Sequence, residues 1–204
     1  MHSVIWQAYD EASSSFFETY ESLKFSRMHR TFLPFLPAKG AACLDVGAGS
    51  GRDAAALARR GYRVTAVEPS SGLRTLAEKR HAKWNITWVD DALPGLATLC
   101  AKKQRYQFIL LSAVWMHIPP ELRAESLQTL GQLLAPGGRI GFTLRLGSGC
   151  SDRIMYPVDV NQLIGQAQQF GLHPIYVSRK VRDSLKRGDV VWQKVIFSRQ
   201  KSPM

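Results

Sequence analysis

The sequence is short of cysteine. It has three, Cys43, Cys100 and Cys150, in 204 residues, and no two stand at a metal-ligand spacing. That excludes a zinc-ribbon or disulfide scaffold and fits reduced thiols in a cytoplasmic protein. No apolar run is long enough for a membrane helix, and Met1-His2-Ser3 opens no secretory signal, so neither a membrane span nor export is expected. No internal repeat or linker interrupts the chain, which leaves a single domain over residues 1–204. Acidic residues are the other shortage, 16 against 27 lysines and arginines, for a formal net charge of +11.

The basic excess is local. Residues 41–106 carry eleven bases against six acids and residues 179–204 eight against two, while residues 1–40 and 107–178 balance at four each. A basic tail with Arg179, Lys180, Arg182, Lys186 and Arg187 can recruit nucleic acid. A solvated surface is the competing account, because stacking aromatics are not interleaved with the bases as a single-strand binder needs.

The most informative stretch is Leu44-Asp45-Val46-Gly47-Ala48-Gly49-Ser50-Gly51-Arg52. An apolar run enters it and Asp53-Ala54-Ala55-Ala56-Leu57-Ala58 leaves it, which describes a strand turning tightly under a ligand and climbing into a helix. Glycine reaches positive φ without strain, and its missing Cβ lets backbone N–H groups approach a bound group. A dinucleotide fingerprint needs its third glycine one residue later, and Asp45 would repel a pyrophosphate but attract an ammonium or sulfonium group. A P-loop is excluded because no Gly-Lys-Ser/Thr follows. The next strand, Arg63-Val64-Thr65-Ala66-Val67, ends in Glu68 and Pro69; an acid at that tip can accept both hydroxyls of a ribose.

This stretch resembles motif I of the class I S-adenosylmethionine-dependent methyltransferases. Two further segments resemble the same family: Asp90-Asp91-Ala92-Leu93-Pro94, a shortened form of its Asp-Ala-x-x-Leu-Pro segment, and Leu134-Ala135-Pro136-Gly137-Gly138, its Leu-x-Pro-Gly-Gly turn. Around Gly51-Arg52-Asp53 the chain is similar to small stand-alone enzymes that include tellurite methyltransferases. The resemblance runs from about residue 33 to residue 144. It implies an α/β, Rossmann-like fold with a seven-stranded, mostly parallel sheet, an antiparallel last strand and an N-terminal helical cap over residues 1–40. It also implies a cofactor, S-adenosyl-L-methionine, held by Asp45, Gly47, Ala48, Gly49, Gly51, Arg52, Glu68, Pro69, Asp91, Ala92, Ser112 and Ala113. In such enzymes a cap tyrosine, here Tyr9 or Tyr20, stands beside the cofactor or acceptor. Asp91 or its neighbour Asp90 receives the adenine amine, unless that acid merely caps the next short helix.

Residues 6–33 read as helical, with Phe16, Phe17, Tyr20 and Leu23 on one face. Strands are expected over 41–46, 63–67, 86–89, 106–112, 139–144, 174–178 and 190–197, and helices over 71–79, 121–134 and 159–170. The loop after the fourth strand should face the transferred methyl group, because ligands bind beyond the carboxyl ends of the strands. There Trp115 would wall the pocket and His117 would meet the acceptor, either as a general base or as a packed histidine at a helix head. Arg145, at the end of the fifth strand, points to an anionic acceptor or pairs with Asp152. Asp53 is a candidate cap for its own helix.

The Asn-Pro-Pro-Tyr signature of many nucleobase amino-methyltransferases is missing; Ser112-Ala113-Val114-Trp115 stands in its place. The expected activity is methyl transfer to a small-molecule acceptor without a metal. Methylation of RNA through the basic C-terminal segment is the second reading, and a non-catalytic binding module the third.

Overall fold

The computed structural model describes residues 3–147, 153–183 and 188–199. Ser148, Gly149, Cys150, Asp152, Lys186 and Arg187 lie outside the described residues, so the Arg145–Asp152 alternative and part of the basic segment are not placed by it.

The expected single helix over residues 6–33 is broken into α1 (Ser3–Glu11), α2 (Ser13–Glu21), α3 (Phe25–Met28) and a 3-10 turn, Arg30–Phe35. Ala12 leaves helical geometry at φ −116° and ψ 26°, and Lys24 is extended at φ −80° and ψ 126°. The apolar spacing survives these breaks. Tyr9 and Phe17 bury against Leu73 and Ala77 of the core.

The core then alternates: β1 (Ala42–Val46), α4 (Arg52–Arg59), β2 (Arg63–Val67), α5 (Ser71–Arg80), β3 (Ile86–Val89), α6 (Ala97–Ala101), β4 (Tyr106–Ser112), α7 (Arg123–Leu133) and β5 (Leu134–Leu146). After it come α8 (Val160–Gln168), β6 (Leu172–Val177), β7 (Val181–Arg182) and β8 (Val191–Arg199). Two helix starts are fixed by side chains. Ser70 Oγ accepts from the Leu73 N–H at 3.2 Å, and Asp159 Oδ1 from the Asn161 N–H at 2.7 Å. Each satisfies a backbone donor that a first helical turn leaves open.

The strands lie in the order β3-β2-β1-β4-β5-β8-β6, with β7 paired to β8 off this path. Strands β1 to β5 are parallel, and β8 is antiparallel to both β5 and β6. The sheet thus has eight strands rather than seven. The extra one is the two-residue β7, formed inside the basic stretch expected to be loop. β5 also starts five residues earlier than expected: its register against β4 jumps from Tyr106↔Leu134 to Phe108↔Arg139, so the Pro-Gly-Gly turn is a bulge within the strand.

Alternate residues of β1 feed two cores. Leu44 packs on the side of α6, α7 and α8, and Cys43 on the side of α4 with Phe25, Phe32 and Phe108. Strands buried on both faces must be apolar throughout, which is why the sequence shows them as continuous runs. The chain winds outward from β1 to β3 and then returns to β4, so a crevice opens beyond the carboxyl ends of β1 and β4.

Candidate active site

A cleft fills that crevice. Its floor is the turn after β1, and its roof is the helical N-terminal segment. Gly47 lies at φ +66°, and a Cβ there would come within 2.6 Å of Val114 Cγ2, so only glycine fits. The Ala48 N–H donates to Val67 O at 2.9 Å. Glu68 clasps the turn from the next strand: its Oε2 accepts from the Gly49 N–H at 2.7 Å and its Oε1 from the Ser70 N–H at 2.9 Å. Glu68 is 5% exposed. Burial pushes its carboxyl up to about 7, against the pull of those two backbone donors. Tyr20 lies above Gly49, close enough that a Cβ there would sit 3.3 Å from its ring.

Gly51 does not line the cleft; it is the N-cap of α4 at φ +77°, turned toward β3 and α5, where a Cβ would stand 2.5 Å from Trp88.

Charge is concentrated at the β1–α4 end. Asp45 faces the cleft, is 1% exposed, and neither carboxylate oxygen has a hydrogen-bond partner among the described residues. Burial and then the neighbouring Asp53 push its carboxyl well above the usual range. Arg52 also faces the cleft. It forks onto the adjacent Asp53, Nε to Oδ1 at 2.7 Å and Nη2 to Oδ2 at 2.8 Å, and donates from Nη1 to Tyr20 O at 3.2 Å. Asp53 therefore does not cap α4, which has no side-chain cap. Instead it also accepts from His29 Nε2 at 2.8 Å. Although burial pushes the Asp53 carboxyl up, His29 and Arg52 together hold it well below the usual range.

At the β2–β3 end the cleft is lined by Pro69, Leu73, Asp91, Ala92 and Leu93. Asp91 does cap the next helix: Oδ1 accepts from the Ala92 N–H at 2.9 Å and Oδ2 from the Thr98 N–H at 2.8 Å. Asp90 points away and pairs with Arg74 at 2.8 Å.

Ser112, Ala113, Thr143 and Arg145 line the middle, at the tips of β4 and β5. Ala113 sits at φ +61°, a left-handed conformation that a residue with a Cβ rarely adopts. The Ala113 N–H donates to Thr143 Oγ1 at 2.9 Å. Beyond it, His117 lines the far wall and is held on both sides. Its Nδ1 donates to Ile154 O at 2.9 Å, which leaves Nε2 to accept the Tyr9 hydroxyl at 2.9 Å. Burial pushes its imidazole down to about 4, with Arg153 and Arg145 adding to the shift. His117 is thus neutral at pH 7.

Trp115, expected as a pocket wall, turns the other way. It is 1% exposed, meets Phe142 edge-on at 5.4 Å between ring centroids, and lies under the Arg123 guanidinium at 5.8 Å. Its bulk is core. The cleft wall there is supplied by Val114 and Met116, its chain neighbours.

Several lining residues were not anticipated: Trp6, Arg153, Met155, Asp183 and Trp192. Trp192 had a usable signal, because β8 pairs antiparallel with β5 and sets Trp192 directly opposite Arg145, on the same face. Its Nε1 donates to Asp183 Oδ1 at 2.7 Å. Arg153 had none, being a single basic residue in an irregular connection. Its guanidinium stacks over Phe16 at 4.8 Å and reaches the hydroxyls of Tyr9 and Tyr20 at 3.3 and 3.4 Å. No group of three or more His, Cys, Asp or Glu side chains among the described residues is arranged to hold a metal, and none of their helices is long and apolar enough to cross a membrane.

A family model described as a methyltransferase domain matches residues 17–185. A ubiquinone biosynthesis O-methyltransferase of Coxiella burnetii is 31% identical over 105 residues, which are 52% of this chain but only 44% of that protein. Among solved structures, a 1,6-didemethyltoxoflavin-N1-methyltransferase of Burkholderia thailandensis, with bound 1,6-didemethyltoxoflavin and S-adenosylhomocysteine, superposes with a TM-score of 0.74. It is 17% identical, over 98% of this chain and 89% of that one. A TehB-like methyltransferase of Corynebacterium glutamicum gives a TM-score of 0.69 at 16% identity, over 93% and 99% of the two chains.

Proposed function

The chain belongs to the methyltransferase-domain family, and from that premise we propose that it takes S-adenosylmethionine as its methyl donor and that its acceptor is a small organic molecule enclosed beneath the N-terminal helices. One observation carries this reading. The helical segment is strapped to both banks of the cleft. On one bank Asp10 Oδ1 accepts from Ser70 Oγ at 2.7 Å and from the Gly72 N–H at 2.9 Å; on the other Tyr9 meets His117. A helix tied to both banks through the adjacent residues Tyr9 and Asp10 closes over the cleft, leaves room beneath it for a compact acceptor and shields the site from water. The named relatives, which act in ubiquinone biosynthesis and on a toxoflavin precursor, support the same class.

The residues present fit the donor. Asp45, a buried carboxylate without a hydrogen-bond partner among the described residues, suits its ammonium, and Arg52, with N–H groups beyond those given to Asp53 and Tyr20, suits its carboxylate. Glu68 suits the ribose hydroxyls. Pro69, Leu73 and Leu93 line the end of the cleft that would take the adenine, whose amine a spare lone pair of Asp91 could accept. Bound there, the donor supplies a methyl group on a sulfonium whose leaving thioether is neutral. The protein's part is then alignment and exclusion of water. A nucleophile that carries a proton becomes strongly acidic as its bond to carbon forms, so a base as weak as His117 suffices to receive that proton, directly or across the Tyr9 hydroxyl.

The test is a transfer assay with methyl-labelled S-adenosylmethionine and cell extract divided into small-molecule, RNA and protein fractions. Label in the small-molecule fraction supports the proposal. Label in RNA, lost at high salt and on neutralising Arg179, Lys180 and Arg182, would replace it with the nucleic-acid reading. No transfer to any fraction would leave a binding module.

A further inference from the structure

His29 is fully buried, 0% exposed, yet it belongs to the N-terminal segment rather than to the strand tips that form the site. It sits between α3 and the 3-10 turn, with its ring between Phe25 at 4.9 Å and Phe32 at 5.5 Å. These two aromatics fix the plane of the imidazole. A nitrogen-bearing ring is not needed to fill that slot; a phenyl ring would do so at lower desolvation cost. What the histidine adds is one directed N–H, from Nε2 to Asp53 Oδ2 at 2.8 Å, with Ser112 Oγ 3.4 Å from the same nitrogen. Its other nitrogen, Nδ1, is buried without a hydrogen-bond partner among the described residues. A buried polar group held at that cost points to a role for the bond it does make.

That bond ends a chain of contacts leading to the cleft. Asp53 uses both oxygens on Arg52, and Arg52 is held on its other side by Tyr20 O. The guanidinium is therefore fixed in plane and direction at the end of the cleft where Asp45 lies. Without the His29 N–H, the shared Asp53 oxygen keeps only Arg52, and the fork is free to rotate with it.

We propose that His29 is a positioning residue for the amino-acid end of the methyl donor, acting through Asp53 to hold Arg52 where the donor's carboxylate is received. This rests on the assignment of S-adenosylmethionine to the cleft and extends it to a residue of the N-terminal segment. It also ties placement of that segment to donor affinity, since the same side chain anchors both.

Two probes separate this role from a structural one. S-adenosylhomocysteine carries the α-amino acid group, and 5′-methylthioadenosine keeps the nucleoside and thioether but lacks it. Calorimetric titration of the full chain should show that His29→Phe, which fills the slot without the N–H, weakens S-adenosylhomocysteine by about tenfold and leaves 5′-methylthioadenosine within about twofold. His29→Gln, which returns an N–H, should recover most of the loss. Equal weakening of both probes, or none of the first, would overturn the role. Should His29→Phe fail to fold, Asp53→Asn carries the same expectation of selective loss, and a non-selective loss there overturns the role equally. Wild-type protein that binds neither probe would overturn the donor assignment together with the role built on it.

Discussion

The hydroxyl of Tyr9 and Nε2 of His117, 108 residues apart in sequence, meet at 2.9 Å across the mouth of the cleft. The Ile154 carbonyl accepts a hydrogen bond from the N–H of the other ring nitrogen, so the neutral histidine is oriented with its lone pair turned toward the cap. Burial lifts the Tyr9 phenol well above its ordinary value, which keeps it protonated as the donor of this bond. Cap closure and the candidate base are thus one contact.

His117→Ala is expected to lower kcat by at least about a hundredfold for an acceptor that must lose a proton. The Kd for S-adenosylhomocysteine should stay within about twofold. Tyr9→Phe should lower kcat less, since the lone pair of His117 remains. Steady-state kinetics beside calorimetry checks this; a lower melting temperature with kcat intact would make His117 a packing residue.

Donor binding should depend on pH in a defined direction. The Glu68 carboxyl is raised from 4.5 to about 7 in the folded protein, so it binds more protons folded than unfolded between those values. Its contribution to stability is then greatest at low pH and falls as pH rises toward 7. Ribose hydroxyls donate to the ionised form, so donor binding should release protons at pH 6.5 and tighten toward pH 8. Calorimetry in two buffers of different ionisation heat reads this directly. Glu68→Ala should weaken the donor by about 1 to 3 kcal/mol, while Glu68→Gln should abolish the Glu68 share of the proton release.

Asp45 has a raised carboxyl for the same reason: burial, with Asp53 beside it, outweighs the lowering effect of Arg52 and of the Ala54 backbone. Asp45→Asn removes a carboxyl whose charged form burial disfavours. Its unfolding free energy should therefore rise relative to wild type as pH climbs out of the ordinary carboxylate range, while donor affinity falls by roughly tenfold or more. Denaturant melts across a pH series, with titration of S-adenosylhomocysteine, check the two signs. A variant that loses both stability and affinity would mean that Asp45 has a partner in the folded protein.

Trp115→Ala should cost about 3 to 5 kcal/mol of stability, as expected for a large side chain removed from a packed core. Donor affinity of the folded fraction should be unchanged. Selective loss of affinity without loss of stability would return Trp115 to the site.

The strands and the glycine turn were legible because their causes are local. A strand buried on both faces must be an apolar run, and a turn under a ligand needs glycine. Side-chain direction at the strand tips was not legible. Trp115 and Met116 are neighbours in one short 3-10 turn, Trp115–His117, and it is tertiary packing, with Trp115 edge-on to Phe142, that sets which faces the core. The breaks at Ala12 and Lys24 were hidden because the apolar spacing carries across them. The Arg52–Asp53 fork was missed for a different reason: adjacent helix residues are not expected to face each other, yet the first turn of α4 lets these two side chains meet. Asp91 was read with both its roles open, and its capping bonds to α6 are the ones the structure displays.

Everything proposed for the cleft depends on what the turn from Gly47 to Ser50 holds. The most direct measurement is calorimetric titration of the purified chain with S-adenosylmethionine and S-adenosylhomocysteine, with NADH as the control. The expected result is saturable binding of the first two at micromolar concentrations and none of NADH. Folded protein that binds neither, or that binds NADH in their place, would contradict the account.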